Sequence, residues 1–84
     1  MKKPPLTFQT RYGTAFLNKS GYLILPHGYG KNKPAPLHRV IFQDHIKRRI
    51  PCGFEVHHIN GCKTDNRVEN LVALEAKAHR LLHI

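Results

Sequence analysis

Hydrophobic and polar positions in the first part of the chain predict a β-hairpin followed by a loop. Two β-prone runs, residues 15 to 17 and 22 to 25, flank the turn-forming sequence Asn-Lys-Ser-Gly at 18 to 21. Residues 26 to 36 are rich in Gly, Pro and Lys, which is typical of an exposed loop. Residues 1 to 13 are polar and contain prolines, and we expect a flexible lead-in with little to order it.

A helix is predicted from Leu37 to about Arg49. A proline precedes it and fits a first helical turn, and Leu37, Val40 and Ile41 fall on one face. The basic run at 47 to 49 suits the negative C-terminal end of a helix. A Pro-Cys-Gly sequence follows and is expected to end it.

The remaining pattern predicts strand, loop, strand and helix in that order. Residues 54 to 59 and 71 to 74 are short apolar stretches, separated by a loop rich in Asn, Asp and Gly. Residues 76 to 83 have apolar positions at helical spacing. The expected fold class is α+β, in one domain over residues 1 to 84, because a chain of this length holds one small core.

Charge changes this picture by indicating a partner. Fourteen Lys and Arg against five Asp and Glu give a formal net charge of +9, spread along the chain. Such a field attracts polyanions, and nucleic acid is the common one. A membrane surface fits less well, because the chain has no Trp and no basic amphipathic helix. No apolar run reaches the roughly 18 residues of a membrane span and no signal peptide is evident, so we expect a cytoplasmic protein.

Histidines supply the candidate chemistry. Four of the seven lie at positions 57, 58, 79 and 83. His79 and His83 are four residues apart on the predicted last helix, which places both imidazoles on one face. A third imidazole from the strand would complete a three-ligand metal site with an open position, and the other member of the His57-His58 pair would be left as a base. Taken alone, a pair of histidines four residues apart is more often solvated than bound to a metal, and a His-His dipeptide is mostly uninformative.

The order of these residues resembles the HNH endonuclease motif. The matching sequence is EVHHINGCKTDNRVENLVALEAKAHRLLH, preceded by LHRVIFQDHIKRRIPCGF, which is similar to the segment before the motif in phage-type and homing-type members. The likeness covers residues 37 to 84 and extends weakly over 15 to 25. It implies a ββα-metal core at 37 to 84, preceded by the hairpin and basic loop at 14 to 36.

The resemblance also implies a role for each motif residue. His58 would be the general base, and Asn70 would tie the loop so that the base is held and its ring oriented. His57, His79 and His83 would hold one divalent metal ion, in the all-histidine version found in colicin nucleases. Three imidazoles suit Zn²⁺, Ni²⁺, Co²⁺ or Mn²⁺ better than Mg²⁺, which prefers oxygen ligands, although Mg²⁺ stays among the candidates.

Contacts to DNA are expected from Arg39, Arg67 and Lys63. Either arginine would hold a phosphate or would pair with Glu55 or Glu69 as part of the scaffold. His38, beside Arg39, is a further candidate for supporting the site.

Geometry poses one difficulty for the motif. Adjacent residues of a regular strand point to opposite faces, yet His57 and His58 must both border one phosphate. The resemblance implies an irregular strand end leading into a long loop. A tight hairpin at Asn60-Gly61, pairing 56–59 with 62–65, is the alternative that the sequence permits.

Three functions are candidates for a chain with these residues. The first is a metal-dependent endonuclease cutting double-stranded DNA as a monomer or homodimer in a bacterial or phage-infected cell. The second is a catalytically silent DNA-binding module with a structural metal. The third is a structural zinc module that uses Cys52 and Cys62, which lack the usual paired spacing.

Overall fold

The computed structural model describes residues 6–28, 30 and 33–78. Within these residues the strands and helices follow one another along the chain in a mixed α+β order. They are β1 (Thr7–Thr10), β2 (Gly13–Leu17), β3 (Leu23–Leu25), β4 (Ala35–Pro36), α1 (Leu37–Ile46), β5 (Phe54–His58), a 3₁₀ turn (Val68–Asn70) and β6 (Leu71–Glu75). Residues 76 to 78 are helical, and the rest of the predicted last helix lies outside the described residues.

The first sheet is antiparallel with the order β1-β2-β3-β4. The predicted hairpin is confirmed as β2 and β3. Its turn is held by the Asn18 side chain, whose Oδ1 accepts hydrogen bonds from the backbone N–H groups of Ser20 and Tyr22. Gly21 follows with a φ of 90°, which glycine adopts without the steric cost of a Cβ.

The prediction of a lead-in with little order is wrong for residues 7 to 10, which form β1 and pair with β2. A tight turn joins the two strands, because Thr10 Oγ1 donates to the carbonyl of Gly13 and accepts from the N–H of Tyr12. The strand is mostly exposed, and its hydrophobic signal was therefore weak.

Helix α1 begins at Leu37 as predicted but ends at Ile46, before the basic run that was expected inside it. Lys47 adopts a left-handed conformation (φ 58°), and the next N–H returns to the carbonyl of Gln43. The Gln43 side chain also accepts the N–H of Ile50. These bonds close the helix three residues early, since a left-handed residue ends helical geometry.

The second sheet consists of β5 and β6, paired antiparallel with His57 opposite Val72 and His58 opposite Leu71. The long loop is thereby confirmed, and the alternative pairing of 56–59 with 62–65 does not form. β6 leads directly into the helical residues 76 to 78, whose first N–H bonds to the carbonyl of Gly53.

Helix α1 lies between the two sheets and joins two small cores. One is built from residues of the first sheet and Leu37, and the other from Ile50, Val56 and Leu71. Ile41 packs against both cores, so α1 fixes the position of β5 relative to β3. In the part of the chain described, no helix is long and apolar enough to cross a bilayer.

Candidate active site

His58 is the last residue of β5 and is buried, with 5% of its surface exposed. It lies on the same face of the strand as buried Val56, because side chains two apart share a face. This face is turned towards α1 and towards Tyr22, the residue that precedes β3. The centroid of the His58 ring is 4.7 Å from that of His38 on α1 and 6.1 Å from that of Tyr22. His38 and Tyr22 are themselves stacked at 5.4 Å.

His38 is the titrating group of this cluster whose pKa is strongly shifted. Burial, followed by the neighbouring His58 and Arg39, lowers the pKa of His38 to about 4. At neutral pH its ring therefore carries no charge. Its Nδ1 is buried and has no hydrogen-bond partner among the described residues.

Asn66, in the loop between β5 and β6, contacts the His58 ring directly. The distance from Asn66 Oδ1 to His58 Nε2 is 2.6 Å, a short hydrogen bond. Sequence reasoning missed this residue, because one asparagine among several in a polar loop has no distinguishing spacing. Its Nδ2, also buried, lacks a partner within the described structure.

Asn70 ties the loop ends together. Its side chain is buried, with Nδ2 donating to Asn60 Oδ1 (3.0 Å) and to the carbonyl of Asp65 (2.8 Å), while its Oδ1 accepts from the N–H of Asn60 (3.1 Å). Its backbone carbonyl accepts from Ile59 N–H at 2.8 Å. None of these bonds reaches the His58 ring, so the ring is oriented by Asn66 and the loop by Asn70.

His57 lies on the opposite face of β5 from His58. The strand pairs regularly through both residues, so the irregular strand end expected from the resemblance is wrong. His57 is half-buried and has interactions of its own. The other two predicted ligands, His79 and His83, lie outside the described residues. Within residues 6–28, 30 and 33–78, no group of three His, Cys, Asp or Glu side chains is placed to hold a metal ion.

Two of the predicted DNA contacts already have partners in the fold. The Arg67 guanidinium makes two 2.8 Å hydrogen bonds to Asp65 and lies 3.6 Å from Glu69. This pairing holds the pKa of the Asp65 carboxyl well below its usual range and raises the pKa of Arg67. Lys63 donates to the carbonyl of Ser20 at 2.9 Å, and its ammonium lies 4.9 Å from the centre of the Tyr22 ring.

Arg39 differs from these two, since it forms no ion pair with a described carboxylate. It lines a cavity of about 520 Å³ beside α1, which we call the basic groove. The residues lining the basic groove are Lys33, Arg39, Gln43, Arg49 and Ile50. A second cavity of about 520 Å³ reaches Asn66 from the side of Tyr12 and Asp44, and His58 does not line it.

Comparison with known proteins identifies the family. Comparisons with curated proteins and with solved structures each gave no significant match. A family model described as HNH endonuclease matches residues 35 to 81, more than half of the 84-residue chain. The match includes α1, both strands of the second sheet, the loop that holds Asn66 and Asn70, and the buried His58. The chain belongs to the HNH endonuclease family.

Proposed function

We propose that this protein is a metal-dependent endonuclease that hydrolyses phosphodiester bonds of DNA with His58 as general base. The observation that carries the proposal is the setting of His58. A buried imidazole at a strand end is held through one ring nitrogen by Asn66, beside a loop that Asn70 closes. A base needs this kind of fixed orientation, because proton transfer requires hydrogen-bond geometry to the attacking water.

The chemical step is in-line hydrolysis. His58 takes a proton from a water molecule, and the resulting hydroxide attacks the phosphorus. The bond from phosphorus to the 3′ oxygen breaks, its electron pair leaves on that oxygen, and the oxygen takes a proton from solvent water. The products are a 5′-phosphate and a 3′-hydroxyl, as the family resemblance implies. The nearby His38 is neutral at pH 7, so it places no positive charge against the proton that His58 accepts.

A divalent metal is assigned to His57, His79 and His83, in the ββα arrangement of β5, β6 and the helix that begins at residue 76. Of these ligands the structure describes His57 alone, and the assignment of the other two rests on their spacing and on the motif. When bound, the ion stabilises negative charge on the phosphate and on the leaving oxygen. The three imidazoles favour Zn²⁺, Ni²⁺, Co²⁺ or Mn²⁺ over Mg²⁺.

We place the phosphate at the end of β5. Because His57 and His58 point to opposite sides of a regular strand, one phosphate meets both only at the strand end, where the chain turns at Asn60-Gly61. The net charge of +9 supports DNA as the substrate. Arg39 is the first candidate for a contact with the DNA backbone. Arg67 is already paired with Asp65, and Lys63 already donates to the carbonyl of Ser20.

Plasmid cleavage tests the proposal. Supercoiled DNA is incubated with the protein in EDTA and in separate Mg²⁺, Mn²⁺, Ni²⁺ and Zn²⁺ series, comparing wild type, His58→Ala and His27→Ala. His27 is an exposed histidine in the loop after β3 and serves as the matched control. We expect cleavage by wild type and His27→Ala with at least one metal, and a loss of about 10²–10⁴-fold in His58→Ala, the range for a general base.

DNA binding is measured on the same proteins by fluorescence anisotropy. Binding by His58→Ala at the wild-type affinity would locate its defect in the chemical step. Undiminished cleavage by a homogeneous His58→Ala preparation would overturn the assignment of the base. If wild type binds DNA and cuts it with none of the metals, the chain is the DNA-binding module instead.

A further inference from the structure

We propose that Asn66 is a positioning residue that fixes the tautomer of His58, so that the ring carries its proton on Nε2 and presents the lone pair of Nδ1 to the attacking water. The inference rests on the proposed function, since a base is useful only if its lone pair faces the proton it removes. It differs from the role that the motif gives to Asn70, whose side chain holds the loop and does not touch the ring.

The hydrogen bond between the two side chains determines the tautomer. An amide oxygen has lone pairs and no hydrogen, so it only accepts. Because Asn66 Oδ1 lies 2.6 Å from His58 Nε2, this nitrogen must be the donor. A neutral imidazole carries one hydrogen, and Nδ1 is then the nitrogen with a free lone pair. The same amide turned over would donate to Nε2 and leave the hydrogen on Nδ1, which makes the ring unable to act as base there.

A second observation indicates that this contact is maintained at a cost. Two buried side-chain polar atoms lack a hydrogen-bond partner within the described residues, and they belong to Asn66 and His38. Both residues touch the His58 ring, one through a hydrogen bond and one through a ring contact at 4.7 Å. An unsatisfied buried polar group destabilises the folded state. Such groups are found where the needs of function conflict with those of stability, and here both belong to residues that contact the His58 ring.

The loop restrains Asn66 on both sides. The preceding residue, Asp65, accepts hydrogen bonds from Asn60 and from Arg67, and its carbonyl accepts from Asn70. The following residue, Arg67, is thereby tied to Asp65 across Asn66. The backbone at Asn66 therefore has little conformational freedom, and the His58 ring that the Asn66 side chain contacts is buried. Fixing both partners lowers the entropy lost when the hydrogen bond forms.

Nitrogen NMR of the wild-type protein tests the tautomer directly. Protein labelled with ¹⁵N in histidine is examined at neutral pH by long-range ¹H–¹⁵N correlation, before and after addition of Zn²⁺. The His58 signals are assigned by their absence from His58→Gln. We expect a pyrrole-type shift for Nε2 and a pyridine-type shift for Nδ1. A pyridine-type Nε2 would overturn the proposal, and no variant is needed for that result.

Three variants separate orientation from stability. Asn66→Asp keeps an oxygen acceptor for Nε2 and should retain the tautomer and cleavage. Asn66→Leu removes the acceptor, and we expect a mixture of tautomers and a fall in kcat of about 10–100-fold with KM nearly unchanged, the scale seen for residues that orient ligand histidines. Thr10→Val is the control, because it removes two hydrogen bonds from the β1–β2 turn, which neither a hydrogen bond nor a ring contact joins to His58.

The outcomes distinguish this proposal from the proposed function. A protein that cuts no DNA but shows the Nε2–H tautomer retains the assignment of Asn66 and loses that of the nuclease. If Asn66→Leu keeps both the single tautomer and the wild-type kcat, Asn66 is not the positioning residue. Loss of kcat in Thr10→Val equal to that in Asn66→Leu would show that general destabilisation explains the effect, and would also overturn the proposal.

Discussion

At the scale of single residues, protonation of His38 affects both the stability of the fold and the charge beside the His58 ring. Burial against His58 and Tyr22 lowers its pKa to about 4, compared with about 6.5 for an unfolded histidine. The folded state therefore binds fewer protons than the unfolded state between these two pH values. This contribution to stability is fully present above pH 6.5 and is lost as the pH falls to about 4.

We expect His38→Phe to reduce this pH dependence, because phenylalanine keeps a stacked ring and does not titrate. Between pH 7 and 4, the wild-type free energy of unfolding should fall by about 1–3 kcal/mol more than that of the variant, allowing for partial solvation of the ring. Urea unfolding at several pH values measures the difference. Parallel curves for the two proteins would contradict a depressed pKa at His38, and exposed His27→Phe is the control.

Asn70 carries a second prediction at this scale. Its side chain is 6% exposed and makes three hydrogen bonds that close the loop. Asn70→Ala should lower the free energy of unfolding by about 2–4 kcal/mol, since three bonds are lost and buried partners are left unsatisfied. Asn70→Asp should recover little, because its carboxylate cannot donate to the carbonyl of Asp65. Chemical denaturation checks both, and a cost below about 1 kcal/mol in Asn70→Ala would contradict the closing role.

The sequence indicated only part of this site. His58 and Asn70 were named from the order and spacing of the motif, and the structure places both in buried positions. Asn66 and His38 received no definite role, because their importance arises from the approach of α1 and the loop to one ring. Asn66 and His38 are 8 and 20 positions from His58 along the chain, and contacts of this kind between separate segments leave no periodic signal. His57 was expected beside His58 but lies on the other face of β5.

At the scale of elements, Gly28 controls the approach of the first sheet to α1. A Cβ at this position would lie 2.6 Å from Ala35 Cβ and 3.2 Å from Leu25 Cβ, both on rigid strands. Gly28→Ala should therefore push β4 away from β3 and cost about 1–3 kcal/mol, the usual range for overpacking. Gly30→Ala is the matched control, with a φ of 68° and open space around it, and should cost only about 1 kcal/mol of left-handed strain.

Thermal unfolding of the two glycine variants separates close packing from backbone strain. Equal losses in Tm would contradict the close approach at Gly28. Because His38 is on the helix that this sheet packs against, we also expect the ring contact with His58 to loosen in Gly28→Ala, with a corresponding loss of cleavage.

Among the elements, those with a strong local pattern were predicted well. The hairpin of β2 and β3, the start of α1 and the two strands of the second sheet were all confirmed. The end of α1 was misplaced because a left-handed lysine and a glutamine side chain close it, and neither has a sequence signal of the kind that glycine gives. β1 was missed because its stability comes from pairing with β2 rather than from a buried face.

At the scale of the whole molecule, the net charge of +9 predicts a polyanionic partner but gives no location for it. The basic side chains of the fold differ in whether they already have a partner within it. Arg67 is paired with Asp65, and Lys63 is fixed on the β2–β3 hairpin. The basic groove retains Lys33, Arg39 and Arg49, and no described carboxylate pairs with any of them. Arg39 follows His38 directly in the chain, so the groove begins one residue from the ring cluster.

The salt dependence of DNA binding tests whether the phosphate backbone of DNA lies along the basic groove. Each phosphate neutralised by a cation contributes about −0.9 to the slope of log K against log salt concentration. We expect Arg39→Ala/Arg49→Ala to weaken binding and to reduce the magnitude of the slope by about 2. Lys19→Ala/Arg48→Ala removes the same net charge from exposed positions outside the groove and should change the slope by much less. Equal slopes for the two double variants would show that binding responds to total charge, and DNA would then have no defined path along α1.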